Sequence, residues 1–192
     1  MTRILSLDLG TACGWAVYSP GDPIYPKAAR AVSGFQLPNA STISHGTFDL
    51  RAGQHAGGGM RFLKFRRELD GFLGKVDEVT YEIVRRHVGT AAAHVYGGLL
   101  GVLTAWCEEH NVPYEGKTVQ AIKKFAAGKG NADKQSVVKA IEGRGFAPKN
   151  DNEADAIALL LLRLSETSGN PVSLPEGMRE VAERTALRAS GR

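Results

Sequence analysis

The chain has 192 residues, 43% of them hydrophobic and 23% charged, with a formal net charge of +4 and a pI near 9.1. That length suits one domain with an appendage, and the balance excludes a disordered chain, a collagen-like fibre and a disulfide scaffold. A charge of +4 spread evenly would say little about partners, so the question is whether it is clustered.

Arg3 to Leu9 alternates around β-formers, and Gly14-Trp15-Ala16-Val17-Tyr18 follows after a four-residue turn, which predicts a β-hairpin. Ser19 to about Ala40 is rich in Pro and Gly and reads as a loop. Ile43 to Leu50 reads as a third strand. Gly57-Gly58-Gly59 breaks the chain, and Met60, Phe62, Leu63, Leu69, Phe72 and Leu73 then form a moderate helical stripe. Val76 to Val84 predicts a fourth strand. The clearest helix runs from about Thr90 to His110, where Val95, Leu99, Val102, Leu103 and Trp106 fall on one stripe. Its other positions include Ala91, Ala92, Ala93, Gly97, Gly98 and Gly101, so a second helix or a second subunit can approach it closely. A short strand near Val112 to Glu115 precedes helical patterns over Thr118–Ala127, Asp133–Glu142 and Asn152–Ser165. Ser168-Gly169-Asn170-Pro171 marks a break, and Glu176 to Arg188 reads as a polar helix or a loose tail. Three meandering strands followed by alternating helices and strands predict an α/β fold, a mixed sheet flanked by helices.

Cys13 and Cys107 lie in apolar stretches without zinc-ligand spacing, which reads as buried reduced thiols. Met1-Thr2-Arg3 leads straight into the first strand with no signal-like apolar region. The longest wholly apolar run, Ala156 to Leu162, falls short of the roughly 20 residues a bilayer requires. The expectation is a soluble intracellular protein with no membrane partner.

Two strands carry an acid that spoils their apolar pattern: Asp8 in Ile4-Leu5-Ser6-Leu7-Asp8 and Glu82 in Val79-Thr80-Tyr81-Glu82-Ile83-Val84. An ionised carboxylate in a sheet centre costs several kcal/mol unless a cation balances it. A third acid group, Asn150-Asp151-Asn152-Glu153-Ala154-Asp155, precedes an apolar helix body. Asn150 and Glu153 form a capping-box pattern, and acids in a first turn suit the helix dipole. Asp155 enters the apolar part of the helix, with Asp151 and Asn152 on roughly its side and Glu153 pointing elsewhere. Three convergent carboxylates on separate elements suit hard divalent cations such as Mg²⁺ or Mn²⁺. Two such ions about 4 Å apart can activate water and stabilise a leaving oxygen in phosphodiester cleavage. HExxH, a Cys/His zinc set and a Walker loop are all missing from the sequence, and Gly128-Lys129-Gly130 is too short for a P-loop.

The positive charge is clustered. Between Lys117 and Lys149 stand eight basic residues and two acids, a net of +6, so the rest of the chain is net −2. The eight are Lys117, Lys123, Lys124, Lys129, Lys134, Lys139, Arg144 and Lys149. They surround the Gly-punctuated Ala127-Gly128-Lys129-Gly130-Asn131-Ala132-Asp133-Lys134 between two short helices. Beside an acidic metal site, such a segment points to a polyanionic substrate.

These residues resemble the RuvC-type Holliday junction resolvases on the RNase H-like fold. Val119-Gln120-Ala121-Ile122-Lys123-Lys124 followed by Gly128-Lys129-Gly130-Asn131-Ala132-Asp133-Lys134-Gln135-Ser136-Val137 is similar to the family's VK…G.G.A.K..V segment. Leu7-Asp8-Leu9-Gly10-Thr11 with Gly14-Trp15 resembles its first hairpin, and Tyr81-Glu82 its fourth-strand acid. Asn152-Glu153-Ala154-Asp155-Ala156-Ile157-Ala158 resembles the DAADALA motif, with Asn152 in place of the first acid. Arg85-Arg86-His87 stands where bacterial members carry a junction-wedging aromatic, so charge or His87 stacking would take that role.

The resemblance implies an RNase H-like nuclease domain over 1–167 with a loop insertion at about 20–40 and a C-terminal extension over 168–192. Its sheet would have five strands, three antiparallel and then parallel ones. It implies a Mg²⁺-dependent endodeoxyribonuclease cutting four-way junctions or other branched DNA, with two ions per site and Mn²⁺ as a possible substitute. Asp8, Glu82 and Asp155 would hold metal with Asp151 or Asn152 as the fourth ligand, and Lys134 would serve catalysis. Lys123, Lys124, Lys129, Lys134, Lys139, Arg85, Arg86 and His87 would contact nucleic acid. A homodimer through the helix 90–110 and a cytoplasmic location in a bacterial or phage-infected cell complete the expectation. The alternatives are a YqgF-like RNA-processing nuclease, a junction-binding protein with impaired catalysis, and an ATP-handling actin-type protein, for which 192 residues is short.

Overall fold

The computed structural model describes residues 2–20, 41–85 and 89–167. The chain runs β1 (Ile4–Asp8), β2 (Ala12–Pro20), β3 (Ser41–Asp49), α1 (Met60–Asp70), β4 (Glu78–Ile83), α2 (Thr90–Glu109), β5 (Tyr114–Thr118), α3 (Val119–Ala127), α4 (Lys134–Glu142) and α5 (Asp151–Thr167). The predicted insertion at about 20–40 and the extension 168–192 lie outside the described residues, as do Arg86 and His87.

The five strands form one sheet in the order β3-β2-β1-β4-β5. β1, β2 and β3 pair antiparallel, while β4 lies parallel to β1 and β5 parallel to β4. This is the predicted mixed sheet. Helical crossovers are what make the parallel pairs possible, since a parallel neighbour cannot be reached through a tight turn. The last strand differs in detail. It spans Tyr114–Thr118 rather than Val112–Glu115, because Lys117 and Thr118 extend the pairing with Glu82 and Ile83.

The period of two in β1 divides the core between the sheet faces. Leu5 and Leu7 join Trp15, Val17 and Val79 beneath α1 and α2, together with Phe65, Leu69, Leu99, Leu103 and Trp106. Ile4 joins Ala16, Tyr18 and Ile43 on the other face, beneath α3, α4 and the apolar run of α5. Each fully buried Leu, Ile or Phe contributes about 1.5–3 kcal/mol. Ser6, Asp8, Thr80 and Glu82 therefore face the α5 side. Cys13 and Cys107 are free and buried, as expected. No helix among the described residues is long and apolar enough to cross a membrane.

Candidate active site

Asp8 ends the central strand, and Glu82 lies near the end of its parallel neighbour. The register pairs Leu7 with Tyr81, so the two acids follow side by side on the same face. α5 brings the third acid. Ser6 Oγ lies 2.7 Å from Ala156 O and 3.0 Å from Ala16 O, so one hydroxyl ties the helix to the sheet next to Asp155. Gly14, opposite Asp8 in β2, allows the approach: a Cβ there would stand 1.9 Å from Asn152 O and 2.4 Å from its carbonyl carbon. Tyr96 of α2 fixes the end of β4, its hydroxyl donating to Glu82 O at 2.9 Å and accepting from Val84 N at 3.3 Å.

The start of α5 is held by a second set of contacts. Asn150 Oδ1 accepts from Glu153 N at 2.9 Å, the cap that the sequence predicts. The Glu153 carboxylate accepts from Lys149 N at 3.0 Å, one residue before the cap, and meets His45 Nδ1 of β3 on its other oxygen. Glu153 is only 2% exposed. It therefore fastens α5 to β3 and faces away from the acid cluster. Gly14, Ser6, Glu153 and His45 were not candidates on sequence grounds. Their signals were a glycine and a serine inside strands, and an acid whose partner lies more than a hundred residues away.

The three acids perturb one another. Burial pushes the Asp8 carboxyl well above the usual range, and the charges of Glu82, Asp155 and Asp151 add to the effect. Glu82 is pushed up to about 7 by burial and then by Asp155. Asp155 is pushed up to about 6 by burial, with Asp151 adding to it. Lys134 opposes the rise at all three, and Lys123 opposes it at Glu82 and Asp155. The two lysines that sequence placed eleven residues apart thus converge on one field. Lys134 pairs with Asp151, which it holds below the usual carboxylate range. Lys123 Nζ donates to Ala132 O at 2.7 Å, which anchors the glycine-punctuated loop.

Asp151 and Asn152 differ in surroundings. Asp151 carries the charge felt at Asp8 and Asp155, whereas Asn152 places its backbone carbonyl over Gly14. Among the described residues, no group of three or more His, Cys, Asp or Glu side chains is placed so that it could hold a metal ion as it stands. Carboxylate oxygens whose ionised forms lack sufficient counter-charge are nevertheless the donor type that hard divalent cations take.

The basic segment is less uniform than its +6 suggests. Lys117 is largely buried in ion pairs with Glu115 and Glu166, at 2.6 and 2.9 Å. Arg144 is 6% exposed, with Nη2 donating to Phe125 O and Ala126 O at the end of α3. Lys124, Lys129, Lys134 and Lys139 stay exposed, as does Arg85 beyond β4. On α2, Gly98 is already used within the chain, since a Cβ there would meet the Phe62 ring at 2.4 Å, while Gly97 and Gly101 face open space.

A five-stranded sheet of this order, flanked by helices on both faces, is an RNase H-like fold. No family model and no curated protein matches the chain. Among solved structures, Thermus thermophilus RuvC in complex with a Holliday junction substrate has a TM-score of 0.66 at 18% identity, covering 87% of this chain and 95% of that one. A Thermus thermophilus RuvC structure gives 0.64 at 21% identity, covering 88% and 97%. The yeast mitochondrial Holliday junction resolvase Ydc2 gives 0.52 at 13% identity, covering 86% and 84%. At these identities the similarity is one of fold.

Proposed function

We propose that the chain is a Mg²⁺-dependent endonuclease that cleaves four-way junctions or related branched DNA. The observation that carries this reading is the convergence of Asp8, Glu82 and Asp155 on one sheet end, each with a raised pKa and each facing Lys134. Asp8, Glu82 and Asp155 would hold the metal, with Asp151 as the charged fourth donor and Asn152 as the neutral alternative. Two bound Mg²⁺ ions, or Mn²⁺ in their place, would activate a water and stabilise the leaving oxygen of the phosphodiester. Lys134 and Lys123 neutralise the phosphate beside the scissile bond, and Lys124, Lys129 and Lys139 supply affinity that is independent of sequence. Arg85, exposed just beyond β4, would contact the branch together with Arg86 and His87, its neighbours in sequence. Cutting two symmetric strands calls for two active sites, and the exposed Gly97 and Gly101 side of α2 is the surface proposed for a second copy.

The test compares cleavage of a mobile four-way junction with matched duplex and structured RNA, with Mg²⁺ and with Mn²⁺. Asp8→Asn should bind the junction without cutting it; a cutting variant overturns the assignment. Preferred cleavage of RNA would point to the YqgF-like reading. Junction binding by the unaltered chain without nicking would point to a binding protein, which the neutral Asn152 favours.

A further inference from the structure

Along β4 the backbone groups alternate between its two neighbours. Val79 N donates to Pro113 O, just before β5, and Glu78 N donates to Arg3 O, just before β1. The even-numbered residues of β4 therefore turn their N–H and C=O groups toward β1. The register between these strands stops at Leu7 and Tyr81, and β1 itself ends at Asp8. Glu82 O and Val84 N lie past that last pair, on the side that β1 no longer covers. Tyr96 of α2 reaches this gap. Its hydroxyl donates to Glu82 O at 2.9 Å and accepts from Val84 N at 3.3 Å, so one oxygen stands in for the next residue of a neighbouring strand.

The position of this bond matters because the backbone of Glu82 sets where its carboxylate meets Asp8 and Asp155. The residues on either side of Glu82 are held toward β5. A Cβ on Gly116 of β5 would stand 2.5 Å from Ile83 Cγ1 and 2.9 Å from Tyr81 Cζ, so both side chains press over that strand. With its neighbours packed on β5 and β1 ended, the freedom left to Glu82 lies toward β1, and the Tyr96 hydroxyl removes it. Burial raises the Tyr96 pKa, and the charges of Glu82 and Asp8 add to the rise against the Val84 bond, so the phenol keeps the proton that it donates. The Val84 bond also fixes the direction in which the chain leaves β4 toward Arg85.

We propose that Tyr96 is a positioning residue for the metal-binding carboxylates: by completing the β4 ladder it holds Glu82 at the spacing from Asp8 that a shared divalent cation requires. This rests on the nuclease reading above. The phenol acts through the Glu82 backbone and not on the substrate.

Tyr96→Phe keeps the ring and removes the hydroxyl. In EDTA the Val84 amide should exchange with deuterium about tenfold faster in this variant, beyond any change at the core amides of Leu5 and Val79. Binding of Mn²⁺ to the free chain, read by electron paramagnetic resonance of the unbound ion, should weaken about fivefold or more. Val102→Ala is the control for stability, since Val102 lies on the same helix and is partly buried against the same core. It should lower the melting temperature and leave Mn²⁺ binding as in the unaltered chain. Unchanged Val84 exchange or unchanged Mn²⁺ affinity in Tyr96→Phe overturns the positioning role and leaves the nuclease reading intact. An equal loss of Mn²⁺ affinity in Val102→Ala also overturns it, because the effect would then be one of stability. An unaltered chain that binds no Mn²⁺ overturns the nuclease reading and this role with it.

Discussion

Asp155→Asn separates the cost of the acid cluster from its use. The carboxyl of Asp155 is pushed up from 3.8 to about 6, chiefly by burial, against the opposing charges of Lys134 and Lys123. A rise of roughly two units corresponds to about 3 kcal/mol by which folding disfavours the ionised form. The sign follows from linkage. Below about pH 4 the group is protonated in both the folded and unfolded chain, and no penalty arises. Between about pH 4 and 6 the unfolded chain ionises first, so stability falls as pH rises, and above about pH 6 the penalty is complete. The asparagine still loses hydration on burial, so the expected gain for metal-free Asp155→Asn at pH 8 is about 1–3 kcal/mol, vanishing near pH 4. Urea unfolding in EDTA, followed by the fluorescence of buried Trp15 and Trp106, measures it directly. Mg²⁺ should narrow the gap, since an ion at a hundred times its Kd stabilises the unaltered chain by about 2.7 kcal/mol and the variant by less. A variant no more stable than the unaltered chain at pH 8, or equally favoured at pH 4 and pH 8, would refute the view that these acids are held together against their own repulsion.

Gly14→Ala should cost about 1–3 kcal/mol or more by overpacking, because Asn152 O stands 1.9 Å from the new Cβ. Lifting the start of α5 should also lower cleavage, and a variant with unchanged urea midpoint and activity would mean that the helix does not depend on this approach. His45→Ala leaves the buried Glu153 carboxylate with Lys149 N, at a cost of about 1–3 kcal/mol. The Glu153 pKa lies below the usual range, which the His45 and Lys149 hydrogen bonds cause against burial, so that loss should appear at neutral pH and fade as pH falls through the carboxylate range. Lys134→Gln removes the cation that opposes the rise at Asp8, Glu82 and Asp155, so the acid limb of the pH–rate profile should move to higher pH. Loss of one charge-assisted phosphate contact, about 1.5–3 kcal/mol, should slow cleavage roughly tenfold to a hundredfold; an unchanged pH limb would separate Lys134 from the cluster.

The charge pattern of the sequence needed the structure to be interpreted. Lys117 and Arg144 count toward the basic segment, yet one is taken up by Glu115 and Glu166 and the other by carbonyls of α3. Conversely, Glu153 sits in the same acidic stretch as Asp151 and Asp155 but is turned to His45 on β3. Linear proximity sets charge density; only the fold decides which charges neutralise one another.

Much of the architecture was legible because it rests on local periodicity. The alternation in β1, the stripe of α2 and the apolar run of α5 each specify a face to bury, and the acids that break those patterns were visible as exceptions. The convergence of Asp8, Glu82 and Asp155 could be suspected from the broken patterns and the family resemblance, but it depends on strand order and on α5 crossing the sheet. Tertiary structure alone decided that Gly14 admits α5, that Ser6 and Glu153 hold it, and that Asp151 pairs with Lys134. These are contacts between residues far apart in the chain. Their strength depends on burial and distance, which no local pattern encodes.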